Sequence, residues 1–447
     1  MTDKADLLLL NGTAVLPEGT KSADILIKDG KIHDIGSFNP SVAAEVIDCG
    51  GLHVLPGVID TQVHFREPGG EHKETLETGM KAAAMGGVTS IFEMPNTNPL
   101  TTTPDALQGK MESAARTPWT NYAFYFGGTA GNAKDLPEWE DLPGVCGVKI
   151  FMGSSTGDLL AATDKEIEAV LRNGRRVVAV HAEDEAMMIR NKKTILGESH
   201  DPAMHHVWRS VESCVSATVR LLRLARKTGR RVHVLHITSA EEMELLAQNK
   251  DIASVEVLPN HLSLSAPDCY RRLGTRAQQN PPIREVHHQM ALWRGIRDGT
   301  VDILGSDHAP HTLEEKGKKY PDSPSGTPGV QTFVPIMLDH VNKGNLTLER
   351  FVDLVCGGPQ RVHQIACKGR IVRGYDADFT IVDLRKKMEI TNAQQLSKCG
   401  WTPYDGDKVT GWPIMTLIHG QAVMREDELI VPAGKPVQFR ETLNIKG

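Results

Sequence analysis

The sequence predicts an α/β protein: a TIM-type (β/α)8 barrel carrying a small β-sandwich domain formed from both chain ends. Three observations lead there. Short apolar runs alternate with amphipathic helical stretches through the middle of the chain. The two ends instead carry short strands divided by Gly, Asn and Asp turns. Seven of the eight central runs finish on an ionisable or amide side chain, which is where a barrel of this type keeps its chemistry.

In chain order, apolar runs at 7–10, 23–27 and 32–35 are separated by Asn11-Gly12 and Lys28-Asp29-Gly30-Lys31, turn dipeptides of the hairpin kind. Similar alternation returns at 374–383 and 416–423. Residues 1–56 plus 371–447 are therefore expected to make the small β domain, with both ends in one sheet, and 57–370 the barrel. Strand-like runs occur at 58–64, 89–94, 121–126, 148–152, 177–181, 231–236, 255–258 and 302–306. Helical stretches fall at 75–85, 163–172, 207–227, 240–248 and 286–297. The first closes on Gly86-Gly87, and Thr163 with Glu166 reads as a capping box.

A chain of 447 residues, 40% hydrophobic and 24% charged, has ample material for one large and one small core. Its net charge of -6 offers no basic surface for a nucleic-acid backbone, so no nucleic-acid partner is expected. No apolar run approaches the 18 residues of a membrane span, and 7–10 is too short for a secretory core; no membrane partner and a cytoplasmic location are the expectation. The seven cysteines are scattered without a C-x-x-C pair, which points to buried free thiols rather than a disulfide frame or a thiolate metal site.

The run from Pro56 to Gly69 has β-branched residues suited to a strand covered on both faces, and it ends in Gln62, His64 and Arg66 at a period of two. The other tips carry Asn96, Gly127, Lys149, His181, His236, Asn260 with His261, and Asp307. His64, His181, His236 and Asp307 are nitrogen and hard-oxygen donors of the kind that hold zinc or manganese at hydrolytic centres. Only closure of a barrel would make residues this distant neighbours. Lys149 sits in the apolar run Gly147-Val148-Lys149-Ile150-Phe151-Met152, where an ammonium is costly to bury. Two readings remain open for it. Either it pairs with a buried carboxylate, or its pKa is depressed so that it takes up carbon dioxide as a carbamate.

The segment His64-Phe65-Arg66-Glu67-Pro68-Gly69 resembles the H-x-R-E-P-G segment of the dihydroorotases, within the amidohydrolase superfamily. Met94 to Pro99, Lys149 to Met152, His181-Ala182-Glu183, Leu235 to Thr238, Asn280 to Arg284, Ser306 to His311, 374–379 and Lys398 to Tyr404 extend the likeness over nearly the whole chain. The resemblance implies metal ligands His64, Lys149 as a carbamate, His181, His236 and Asp307, with zinc the expected ion, one or two in number. It implies substrate contacts from Arg66, Asn96, Asn280 and His311, and Asp307 as the catalytic proton shuttle. The reaction implied is the reversible interconversion of N-carbamoyl-L-aspartate and dihydroorotate in pyrimidine biosynthesis. A guanidinium fork suits the substrate carboxylate.

One position departs from the pattern: Gln62 stands where the family's H-x-H motif has its first histidine, and an amide oxygen is a poorer ligand than imidazole. That leaves open an allantoinase or hydantoinase-type cyclic amidase, and also a non-catalytic scaffold. Residues 311–329, rich in Gly and Pro, read as a covering loop or a surface excursion. His205-His206 and His287-His288 read as surface or capping residues, the six tryptophans as core, and the basic cluster from Arg220 to Arg231 as a solvated face or an oligomer contact. A homodimer or higher homo-oligomer is the expected assembly.

Overall fold

The computed structural model describes residues 4–153 and 159–443. Eight parallel strands form the central sheet: Val58–Val63, Val88–Glu93, Asn121–Gly127, Val145–Phe151, Val178–His181, Val232–Val234, Ala253–Val257 and Ile303–Leu304. They lie in sequential order. The ring closes where Val63 bridges His308 and the His64 N–H donates to the His308 carbonyl at 2.7 Å. The barrel expected from the sequence is present.

Several of the helices between the strands have a start that is written locally. Thr75 and Thr163 close capping boxes over Leu76–Met85 and Asp164–Leu171, and Thr103 with Pro104 opens Pro104–Arg116, a helix missing from the sequence reading. The long helix is split: His205–Trp208 ends, and Val211–Thr228 begins afresh after an extended Ser210. At the break Arg284 reaches the carbonyls of Arg209 and Ser210 at 3.1 and 3.4 Å, and the Ser210 carbonyl also accepts the Ser213 N–H at 3.1 Å as the second helix begins. Val211–Thr228 then buries Leu221, Leu222 and Leu224, each worth about 2 kcal/mol in apolar burial.

At the other end of the barrel, strands from both chain ends share a seven-stranded sheet, in which His53–Pro56 pairs with Phe379–Glu389 on one side and Thr13–Leu16 on the other. A four-stranded sheet containing Ala5–Leu10 packs on it through Leu7, Leu9, Ile25, Ile27, Phe379 and Leu417. Gly57 joins this sheet to the first barrel strand; its N–H meets the Asp378 carbonyl at 2.8 Å, and a Cβ there would lie 2.9 Å from that of Asp378. Residues 390–407 leave the small sheet and cross to the carboxyl end of the barrel. Among the described residues no helix is long and apolar enough to cross a membrane.

Candidate active site

The carboxyl ends of the first, fifth, sixth and eighth strands bring together the side chains singled out in the sequence, in two donor pairs. In the first, His64 Nδ1 meets Asn96 Oδ1 at 2.7 Å and His64 Nε2 faces Asp307 Oδ1 at 3.2 Å. The amide oxygen of Asn96 accepts, so the proton sits on Nδ1 and the Nε2 lone pair points at a carboxylate oxygen. Burial pushes the His64 pKa down, and a neutral ring has no proton left to bridge the gap. In the second pair His181 Nδ1 lies 3.0 Å from His236 Nε2, while His181 Nε2 donates to Glu183 at 2.8 Å. Again the ring nitrogen that faces inward is the one without a proton. Burial also lowers both imidazoles, His236 to well below the usual range.

Lys149 is fully buried and its Nζ makes no hydrogen bond among the described residues; its nearest recognisable company is the Phe151 ring, 4.4 Å away. The paired-carboxylate reading of this lysine therefore fails. Burial lowers its pKa to about 7, with Asp307 and Glu256 pulling it back only from electrostatic range. Lys149 in turn depresses His64, His181 and His236, so it lies within electrostatic range of both pairs. Gln62 Nε2 donates to Asp307 Oδ1 at 3.0 Å and leaves its buried Oε1 without a partner.

No group of three or more His, Cys, Asp or Glu side chains among the described residues makes a metal cage by itself. The residues nonetheless fit a divalent ion. Lone pairs facing one another at 3.2 Å repel unless a cation lies between them, and each pair lacks one further donor that a carboxylate on Lys149 would supply.

Beside this cluster Arg66 is 9% exposed and has no carboxylate partner among the described residues; its Nε donates to the Pro310 carbonyl at 3.2 Å and Nη2 lies 3.4 Å from His311 Nε2. Burial lowers its pKa to about 10, so the guanidinium remains charged at neutral pH. Arg66, Asn96 and His311 line one cavity of about 540 Å³ together with Lys73. Asn280 is placed differently. It lines a neighbouring cavity of about 460 Å³ with Arg209 and Trp208, its Oδ1 taken by His205 Nε2 at 3.0 Å, and among the described residues only Pro324 borders both spaces. Arg66, His236 and Asp307 all hold positive φ, at 63°, 40° and 46°, a cost of about 1–3 kcal/mol each that clusters at functional sites.

The remaining tips are structural in this geometry. Asn260 donates to Gln279 and Thr327 at 2.8 Å, and His261 bonds Gln279. The segment 311–329 is pinned down: Lys316 Nζ, 1% exposed, donates to the carbonyls of Gln278, Pro324 and Gly326 at 2.8–3.1 Å.

Some supporting residues were not legible in advance. Glu74 takes His308 Nε2 at 3.2 Å and the Ser397 hydroxyl, fastening residues 390–407 beside Asp307. Trp401 Nε1 donates to the His311 carbonyl at 2.7 Å, so this tryptophan does more than fill core. His205 was expected at the surface and is buried, because Asn280, the Gln279 carbonyl and Tyr320 surround it; His288 does cap, accepting the Ala240 N–H at 3.1 Å. In the basic cluster Arg220, Arg223, Arg226 and Lys227 pair with acids at the surface, as a solvated face should, but Arg230 is buried against Glu140. Glu183, two residues beyond His181, carried the one available signal: period two returns it to the histidine's side of the chain.

Comparison with known proteins supplies the family. The amidohydrolase family profile matches residues 53–423. The chain is 34% identical over 447 residues to a dihydroorotase of Methanosarcina mazei, covering 96% of each. It is 33% identical over 444 residues to an L-hydantoinase of Paenarthrobacter aurescens, again 96% of each. A solved L-hydantoinase (dihydropyrimidinase) from Arthrobacter aurescens superposes with a TM-score of 0.93 at 32% identity, covering 97% of this chain and all of that one.

Proposed function

The chain belongs to the amidohydrolase family, a hydrolase acting on cyclic amides, and from that membership we propose that it is a dihydroorotase. The observation that carries the finer reading is Arg66. A buried guanidinium with no carboxylate partner among the described residues, lining a cavity with Asn96 and His311, has lost solvation that a substrate carboxylate would restore. Dihydroorotate and carbamoyl aspartate bring such a carboxylate, whereas a plain hydantoin ring does not.

In this reading His64, His181, His236 and Asp307, with a carbamate on Lys149 and the weaker donor Gln62, would hold one or two divalent ions. Zinc is the expected metal. Bound there, it would polarise the ring carbonyl and make water more acidic. The protein's own groups do the rest. Arg66 orients the ring by its carboxylate, and His311, whose carbonyl Trp401 holds, closes that end of the pocket. Asp307 is kept in place by the Gln62 amide. Its carboxylate accepts the proton of the attacking water and delivers it to the departing ring nitrogen. Cyclisation of carbamoyl aspartate follows the same path in reverse.

A hydantoinase reading is favoured by two observations, the TM-score of 0.93 to one L-hydantoinase and the 33% identity over 96% of the chain to another. The purified protein, supplied with zinc and bicarbonate, should hydrolyse dihydroorotate and cyclise carbamoyl aspartate while leaving hydantoin and allantoin almost untouched. The opposite preference would transfer the protein to the second reading. Turnover of none of the four would leave a scaffold.

A further inference from the structure

We infer that Glu183 and Arg209 are a positioning pair that fixes His181 as its Nε2–H tautomer and so keeps the Nδ1 lone pair turned into the site. The inference deepens the reading above, in which His181 is a metal ligand. His181 is the last residue of the fifth strand, and nothing within that strand dictates which of its nitrogens carries the proton. Glu183 does. Its carboxylate is fully buried, and Oε2 accepts from His181 Nε2 at 2.8 Å.

Arg209 keeps that carboxylate aimed at the ring. It grips Glu183 with Nε on Oε1 at 3.1 Å and with Nη2 on Oε2, and the guanidinium lies over the Trp208 ring at 5.3 Å. The break between the two helices at Arg209 is what turns this side chain inward. With the tautomer reversed, an N–H would occupy the 3.0 Å gap to His236, and a cation could not be shared between the two rings.

The test uses the full-length protein labelled with 15N-histidine, first without metal. The His181 signal is identified by its loss in His181→Asn. The parent should show His181 as the Nε2–H form, Glu183→Ala a mixture or the reverse, and Glu183→Gln the parent pattern, because the amide oxygen still accepts. Zinc affinity, read by competition with a chelating dye, should fall about 10–100-fold in Glu183→Ala and in Arg209→Met, and stay within about fivefold in Glu183→Gln. Arg209→Met keeps the length of the stem without the charge and supplies the answer if Glu183→Ala does not fold. An unchanged tautomer in both Glu183→Ala and Arg209→Met, or zinc affinity within twofold of the parent in both, overturns the pair. A parent that binds zinc but ignores dihydroorotate overturns the proposed activity alone. If the parent takes up no metal, the ligand reading falls and the tautomer still decides the pair.

Discussion

Replacing Arg66 by methionine isolates the carboxylate clamp, because methionine keeps the length and packing of the stem and leaves no buried charge behind. The size of the effect follows from the structure in two ways. Burial lowers the guanidinium from the usual arginine range to about 10, equivalent to about 3 kcal/mol of lost solvation that a carboxylate partner can return. Hydrogen bonds to a charged group contribute about 1.5–3 kcal/mol each, and two in a fork are less than additive. Both routes give about 3 kcal/mol, or a loss of about 150-fold in kcat/KM for dihydroorotate. The loss should fall chiefly on KM, since the carboxylate is held alike in ground and transition states. A neutral ring amide is the control, and whatever slow hydrolysis of hydantoin the parent shows should change less than threefold. Folding should suffer little, about 1 kcal/mol for the Pro310 carbonyl that loses its donor. Steady-state kinetics on the two substrates decide the matter. A fall of less than fivefold for dihydroorotate, or equal falls for both, would refute the clamp.

Lys149→Ala should lose both turnover and bound zinc, measured by elemental analysis, because each donor pair then lacks its shared third ligand; full stoichiometry with full activity would remove the carbamate from the scheme. Chelation should inactivate the parent reversibly, and Gln62→His should keep activity while holding zinc at least as tightly. Lys316→Met should release the segment 311–329 by leaving the Pro324 and Gly326 carbonyls without a donor, while the Gln278 carbonyl keeps the Gly326 N–H, at a cost of about 2 kcal/mol. Faster amide exchange confined to that segment and a raised KM are the expected signs. Burial, with Asp307 nearby, pushes the Glu256 carboxyl up to about 8. The folded protein then keeps a proton that the unfolded chain releases near 4.5, so this group's contribution is full below 4.5 and disappears as pH rises through 8. Glu256→Gln should gain on the parent across that window by up to about 5 kcal/mol, and parallel melting temperatures at pH 5 and 8.5 would contradict it.

The periodic features of this protein were legible before any coordinates. Alternation of apolar runs with capped helices specified the barrel because strand and helix periods are local properties of the chain. Polar residues at the run ends, His64, Lys149, His181, His236 and Asp307 among them, could be named because an apolar strand ending in a charge is improbable without a use. Turn dipeptides marked the strands of both termini, and their shared sheet followed once neither end had enough strands alone.

Tertiary structure decided what depends on distant partners. Whether Lys149 meets a carboxylate is a question about eight strands at once, and so is the pairing of His64 with Asp307 and of His181 with His236. Asn280 was grouped with Arg66 by motif, yet the fold gives it a different cavity. His205, Trp401, Lys316 and the Glu183–Arg209 pair acquire their roles from residues tens to hundreds of positions away. Period and capping act over a few residues and can be read from order alone. Hydrogen bonding and desolvation act over a few ångströms in space, and only the folded chain determines which atoms share them.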